Sequence, residues 1–474
     1  LFGVHNNNLV NLVRGVRERV FAVESDGVLV EPPRPEPGFV AQELGEAARI
    51  LDRIAFPTTR YTYEQFVGTY TGRRRTIYEG AVASLASLPV HRGDSNSKAF
   101  LKCEKLALYL KGDPAARLIH PRDPRYNVEV GRFVKRIEHD VYHAVDQLWG
   151  ERTILKGYNA AEVASILSKK WNSTDKPVAI GLDASRFDQH VSTEALKWEH
   201  ARYLEYFNGH DREILAELLS WQLETSCFAK CDDGRIKYKV KGMRFSGDMN
   251  TGLGNCLLMS VMVWVWCHKR GINAKLGNNG DDCVLIVSSR QVGQLDLPAM
   301  CRWFRELGFT MKVEEPVNVL ERVTFCQAHP VWAGNAWVMC REHGHAMAKD
   351  CISLKPLDTP GVYNQWRRAV GLCGSSLTGG IPVQQNFYRA LAKGAGTKSL
   401  VDPTLETGMA MLARGMQREW MEPTPEARYS YWLAFGVTPD EQEALEGFMD
   451  RVDLGFTHPT AAQGTSTCPT ELLL

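Results

Sequence analysis

The stretch Gly277-Asn278-Asn279-Gly280-Asp281-Asp282-Cys283-Val284-Leu285-Ile286-Val287 constrains this chain more than any other. Its Gly/Asn turn supplies residues that tolerate positive φ, and the β-branched run after it suits a buried strand. The segment therefore predicts a strand-turn-strand hairpin. Two carboxylates stand together at its tip. Side chains alternate along a strand, so at most one of Asp281 and Asp282 aims straight into a site in front of the hairpin. Adjacent acids beside buried strands repel each other unless a cation, or an Arg or Lys, pairs with them. Taken alone, the same residues also describe a solvated turn, and the decision comes from elsewhere in the chain.

At 474 residues the chain is too long for one ordinary core, so several subdomains are expected. A hydrophobic share of 44% with 23% charged residues is that of a soluble globular protein. The net charge of +1 excludes a global basic field, so any nucleic-acid surface must be a local concentration of charge. Such a concentration exists between Arg92 and Arg136, where eleven Lys and Arg face five acids, with Tyr109, Tyr126 and Phe133 interleaved. Its plain alternative is a salt-bridged, solvated surface. The 12 cysteines follow no repeating pattern, as expected of reduced thiols in an intracellular protein. The longest apolar run, Cys256 to Cys267, is too short to span a bilayer. No signal peptide is visible, and Leu at position 1 fits a fragment or a processed or fused product.

Along the chain, apolar residues near helical spacing mark 2–21, followed by a stiff Pro-rich connector over 31–38. Helices are expected over 40–56, 138–171, within 192–226 and over 297–307, and mostly helix after 350. Pro177–Asp183 is an apolar strand ending on a carboxylate, and Ala184–Asp188 is the turn after it. Lys230–Val240 alternates like a hairpin around Asp232-Asp233-Gly234. Ser246–Asn255 is a Gly/Ser/Asn loop opening a long helix to about His268. Phe309–Val313 is a strand, and Val323–Gln327 with Ala336–Cys340 suggests a further hairpin.

Three pieces are weighed together: Asp183-x4-Asp188 at a strand end, Ser246-x4-Thr251-x3-Asn255 at a helix start, and Gly280-Asp281-Asp282 in a hairpin. Carboxylates on neighbouring strand ends can hold two Mg²⁺ about 4 Å apart for in-line phosphoryl transfer. Magnesium favours such hard oxygen ligands and is usually completed by substrate phosphates. Asp183 and Asp281 are the expected metal ligands, with Asp282 in support. The Gly-rich loop would position nucleotide and template, and the basic zone would neutralise the triphosphate and leaving pyrophosphate.

In these pieces the chain resembles the RNA-dependent RNA polymerases of positive-strand RNA viruses, most closely the tombusvirus, carmovirus and umbravirus group of plant viruses. Asp183-x4-Asp188 is similar to that family's motif A, Ser246–Asn255 to motif B and Gly280-Asp281-Asp282 to motif C. Gly308–Glu314 looks like motif D and Phe325-Cys326-Gln327 like the motif E hairpin. Lys102-x-Glu104-Lys105 with Arg117-x-Ile119-x-Pro121-Arg122 resembles motif F. Motifs A to E stand in the family's order with F ahead of A, which is far more specific than any one of them.

The resemblance implies an α+β right hand of fingers, palm and thumb, with an antiparallel palm sheet backed by helices. It divides the chain into fingers and fingertips (1–174), palm with motif A (175–206), a fingers insertion (207–245), palm with motifs B to E (246–348) and thumb (349–474). It implies catalysis by Asp183, Asp281, Asp282 and Lys312, the last as general acid on pyrophosphate, and two Mg²⁺ or Mn²⁺ ions on the three aspartates. Asp188, Thr251 and Asn255 would sense the ribose hydroxyls, where a 2′-OH needs polar partners to be told from hydrogen. Ser246 and Gly247 would belong to a mobile loop touching nucleotide and template. Lys102, Lys105, Arg117 and Arg122 would line the nucleotide tunnel, Lys98 is expected to contact RNA, and Arg73-Arg74-Arg75 is either a template-entry contact or a solvated run. The implied partners are RNA template, nascent RNA, NTPs, and other viral replicase and host factors. The implied setting is the host cytoplasm, at membrane-associated replication complexes reached through a region outside this chain.

Cys326, His329, Cys340, His343 and His345 have zinc-like spacing, although hairpin packing with solvated histidines is the plainer expectation. Cys227-x3-Cys231 as a metal site is weaker still. Trp264 and Trp266 are expected in packing rather than base stacking. Lys393–Ser399 lacks the Gly-Lys-[Ser/Thr] order of a phosphate loop. Two rivals share parts of the pattern. A reverse transcriptase would carry an aromatic residue in place of Asp188, and a decayed RNA-binding scaffold would have lost the aspartates.

Overall fold

In the computed structural model, which describes residues 2–401 and 409–457, the apolar run after Asp282 lies at the centre of a four-stranded antiparallel sheet. The strand order is Ala274–Asn279, Asp282–Ser288, Pro177–Ala184, Met311–Val313. Cys283 to Val287 are each at most 1% exposed, so this strand is buried on both faces and reads as a continuous apolar run. Alternation assigns those faces to two cores. Cys283, Leu285 and Val287 join a core built on the helices Pro124–Trp149, Thr251–Lys269 and Leu297–Glu306. Val284 and Ile286 join a second core with the helices Ala160–Asn172 and Pro360–Thr378 and the hairpin Ala328–Trp332/Trp337–Arg341.

Thr251–Lys269 has 19 residues and, by length and composition alone, could cross a membrane. It is the long helix expected after the Ser246–Asn255 loop, and it contains the apolar run Cys256 to Cys267. The helix is the hub of the first core: 78% of its apolar window is buried inside the protein, as an all-round hydrophobic core helix should be. Trp264 and Trp266 pack there as expected. Trp264 stacks on His268 at 4.3 Å, and Trp266 Nε1 donates to the Leu295 carbonyl at 2.8 Å.

A second four-stranded sheet has the order Leu118–Ile119, Ser97–Leu101, Glu224–Lys230, Arg235–Lys241. Its last two strands are the hairpin expected around Asp232-Asp233-Gly234. Leu12, Val16 and Val20 of the N-terminal helical segment lie in its core, as their spacing predicted.

Two expectations need correction. The helix predicted over 138–171 is two helices, Pro124–Trp149 and Ala160–Asn172, because Gly150 turns to φ 78°. The connector between them is not idle. Asn278 N–H donates to the Thr153 carbonyl and Leu155 N–H to the Asn278 carbonyl, at 2.9 and 2.8 Å, which adds a short parallel rung to the sheet edge. The hairpin predicted to begin at Val323 begins at Ala328 instead, since Cys326 and Gln327 take φ 51° and 60°. Phe325 and Ala328 close this turn with two mutual backbone hydrogen bonds. After 350 the described chain is mostly helical, as expected; the expected 349–474 unit includes 402–408 and 458–474, which lie outside the described residues.

Candidate active site

Strand register assembles the carboxylates. Asp282 stands directly opposite Asp183, and Asp183 opposite Lys312, so the three project from one face at one end of the sheet. Asp281 occupies the two-residue turn between Asn279 and Asp282, where positive φ falls on Gly280 alone (79°). Fully buried Asn278 braces this turn from within. Its Nδ2 donates to the Gly280 carbonyl at 2.6 Å, and its Oδ1 accepts from Gly280 N–H at 3.2 Å. The Asp282 carboxylate accepts from Cys326 N–H at 2.9 Å, which uses the strained turn after Phe325 as a prop. That contact suits the supporting role expected of Asp282. Non-glycine positive φ at two successive residues is costly, and such strain clusters at functional sites.

Burial pushes the Asp281 carboxyl above its ordinary range. Its own backbone N–H opposes this, Asp183 adds to it, and the charges of Arg117 and Lys156 oppose it. Asp282 is pushed up to about 6, first by burial, with Asp281 and Asp183 adding repulsion. Repulsion of this kind is what a divalent cation relieves, so the donor chemistry fits Mg²⁺ or Mn²⁺ on Asp183, Asp281 and Asp282. Among the described residues no three His, Cys, Asp or Glu side chains close a shell on their own. Magnesium sites completed by substrate phosphates and water are built in this open way.

Asp188 follows Asp183 through a turn in which Arg186 takes φ 48°. Its Oδ1 accepts from Asn255 Nδ2 at 2.8 Å, which joins two of the three expected ribose-sensing residues. Asn255 Oδ1 in turn accepts from Arg244 Nε at 3.0 Å, and the Arg244 fork pairs with Glu199. Both charged side chains are fully buried. Glu199 also accepts from Tyr203 and Asn250, and Gln222 closes the network on Asn250. A Cβ at Gly254 would collide with Arg244 and Glu199, so glycine makes room for the pair. Sequence reasoning missed this network, because neither Glu199 within a helix nor Arg244 after a hairpin carries a local signal. The third expected sensor, Thr251, differs: its hydroxyl lies 2.6 Å from the Phe245 carbonyl and 3.0 Å from that of Asp248, and it ties the loop.

The Ser246 loop abuts the expected motif F strand. A Cβ on Gly247 would lie 2.5 Å from the His120 carbonyl oxygen, and Ser246 Oγ accepts from His120 N–H at 3.4 Å. Arg122 does not line a tunnel. Its guanidinium is fully buried on Asp248 and also donates to the Ser95 carbonyl and Thr225, so it locks this loop to the second sheet. Lys102 and Arg117 share Glu104 at 3.1 and 3.3 Å, and Arg117 remains exposed. Lys105 Nζ donates to the Lys349 carbonyl at 3.0 Å. Lys105 and Arg117 line a cavity of about 810 Å³ that reaches Cys326, Gln327, Arg341 and Lys349. Much of the basic zone is thus paired with acids. Lys98 is exposed on the second sheet, and Arg73 and Arg74 lie on the exposed first turn of Gly72–Leu85. Among the described residues, no hydrogen bond or ion pair joins these three to the carboxylates.

Zinc finds no site among the described residues. His343 Nδ1 hydrogen-bonds the Tyr431 hydroxyl at 2.6 Å, His345 Nδ1 the Tyr109 hydroxyl at 2.7 Å, and His329 packs edge-on to Phe435. The Cys227-x3-Cys231 spacing likewise gives two buried free thiols.

The carboxylates in register, the buried network on the neighbouring helix and the basic flank agree with the class that comparison with known proteins shows. The chain is a member of the viral RNA-dependent RNA polymerase family, whose description matches residues 1–457. It is 46% identical over 453 residues to the RNA-directed RNA polymerase of maize chlorotic mottle virus, covering 94% of this chain and 46% of that protein. Against the namesake protein of tobacco necrosis virus strain A, identity is 45%, covering 97% of this chain and 64% of that protein. For turnip crinkle virus it is 42%, over 96% and 58%. The chain therefore spans about half to two thirds of these relatives' length.

Two outcomes follow from the buried network. Glu199→Ala or Arg244→Ala leaves a buried charge unpaired and should cost about 3–5 kcal/mol in urea unfolding, while Glu199→Gln with Arg244→Met should cost less than the sum of the singles. Asp188 ionises near 3.8 when unfolded and near 6 in the fold, where burial dominates. The folded state binds more protons between those values. The stability Asp188 contributes is therefore full below about pH 3.8 and lost as pH rises through about 6. In metal-free buffer the melting temperature of the native chain relative to Asp188→Asn should fall across that interval; a constant difference contradicts the shift.

Proposed function

We propose that this chain is the RNA-synthesising core of a positive-strand RNA virus replicase, catalysing template-directed nucleotidyl transfer from NTPs to an RNA 3′-hydroxyl. The observation that carries this reading is the register that sets Asp282 opposite Asp183, with Asp281 at the turn beside them. The architecture supports an assignment of the carboxylate sheet to a palm (175–206 and 246–348), the second sheet and its flanking helices to fingers (1–174 and 207–245), and residues from 349 onward to a thumb.

Two divalent cations, Mg²⁺ or Mn²⁺, held by Asp183 and Asp281 with Asp282 in support, would lower the charge barrier to in-line attack. The remaining steps belong to the chain's own side chains. Arg117 and Lys105, on the cavity wall, draw the triphosphate in. Lys312, opposite Asp183 and exposed, is placed to give a proton to departing pyrophosphate. Asp188, oriented by Asn255 and through it by Arg244, accepts from the ribose hydroxyls. A site built to hydrogen-bond a substrate hydroxyl discriminates strongly against the analogue lacking it. RNA template and product, other viral replicase proteins and host factors are the proposed partners, at membrane-associated complexes in the host cytoplasm.

Incorporation of labelled NTPs on single-stranded RNA, with Mg²⁺ or Mn²⁺, tests this. Native chain should make complementary RNA, and Asp281→Ala should lose at least about a hundredfold. Asp188→Ala should keep measurable synthesis but narrow the preference for NTP over dNTP by at least about tenfold. Equal synthesis by native chain and Asp281→Ala means that the metal ligands lie elsewhere.

A further inference from the structure

Lys156 belongs to no motif identified above, and its surroundings are unusual for an exposed lysine. The backbone just before it is pinned to the active-site strand by the two hydrogen bonds that Thr153 and Leu155 make with Asn278. The strand that carries Asn278 leads directly into the Gly280-Asp281 turn. Gly252, in the first turn of the Thr251–Lys269 helix, makes room for the lysine stem. A Cβ there would lie 2.6 Å from Lys156 Cε and 3.1 Å from its Nζ. The ammonium therefore rests against the helix start, beside the strand that leads into the Gly280-Asp281 turn. Among the described residues Lys156 has no hydrogen bond or ion pair, whereas Lys102, Lys105 and Arg122 all have one.

Its position in the sheet suggests what it meets. Lys312 lies on one edge strand, and Lys156 flanks the opposite edge, with the carboxylates between them. In-line transfer brings the attacking oxygen and the leaving pyrophosphate to the α-phosphate from opposite sides. With Lys312 assigned to the leaving pyrophosphate, the opposite edge is the side from which the attacking strand approaches. A lysine is a compact point charge that suits a phosphate without reading a base.

Resting on the polymerase reading, we propose that Lys156 Nζ binds the phosphodiester nearest the 3′ end of the growing RNA strand and thereby holds the attacking hydroxyl over the carboxylates. The test measures affinity for a primer–template RNA duplex without NTP or metal, as a function of salt, for native chain, Lys156→Gln, Lys156→Arg and Gly252→Ala. The NTP KM in template-directed synthesis is measured beside it. Lys156→Gln should weaken RNA binding about five- to tenfold at low salt and reduce the salt slope by about 0.7–0.9, the loss of one phosphate contact. It should leave the NTP KM within about twofold, and Lys156→Arg should restore binding. Gly252→Ala, which displaces the stem, should weaken binding in native background and add nothing to Lys156→Gln. A raised NTP KM with unchanged RNA affinity would assign the ammonium to the triphosphate and overturn the proposal. Unchanged affinity and KM would make it a solvated lysine. Native chain that makes no RNA would remove the polymerase reading itself, whereas active native chain indistinguishable from Lys156→Gln would remove only this role.

Discussion

Like charges gathered at one end of a sheet are the constraint around which the rest is arranged. Register sets Asp183 opposite Asp282, and the Gly280 turn adds Asp281, so three carboxylates repel one another at one end of the sheet. Unfavourable as that is, the fold holds them there from every side. Continuous apolar strands anchor the sheet in two cores, Asn278 braces the turn, and a turn with two residues at positive φ offers Cys326 N–H to Asp282. Local strain kept in place by well-packed surroundings is the usual signature of a functional centre.

A second electrostatic device orients Asp188. The Arg244–Glu199 pair is fully buried, and such a pair is weak evidence for stability because desolvation offsets its attraction. Its value here is orientational. It fixes Asn255, which fixes Asp188, and so transmits a rigid core arrangement to the residues that would meet the ribose. Arg122 with Asp248 does the same for the Ser246 loop.

Much of this was legible in the chain itself. The apolar run Val284–Val287 announces a strand by local pattern, and the ordered motifs spread along the chain announce the family. The parts that were not legible depend on partners remote in sequence. Glu199 and Arg244 are 45 residues apart and look like ordinary charges until the fold buries them together. Arg122 sits in a basic stretch whose density says nothing about which cation will be internal. The hairpin after Phe325 was misplaced because Cys326 and Gln327 give no sign of left-handed backbone. The break after Trp149 was different: Gly150 stood at the helix end as a readable stop, and the apolar periodicity on both sides obscured it.

The most direct measurement of the central claim is the stoichiometry of Mn²⁺ binding, by electron paramagnetic resonance, to a complex with primer–template RNA and a non-hydrolysable NTP. The account predicts about two ions per native chain, with uptake reduced in Asp183→Asn while RNA affinity holds. Equal uptake by native chain and Asp183→Asn would contradict it, because the strand register would then gather carboxylates that bind no ion.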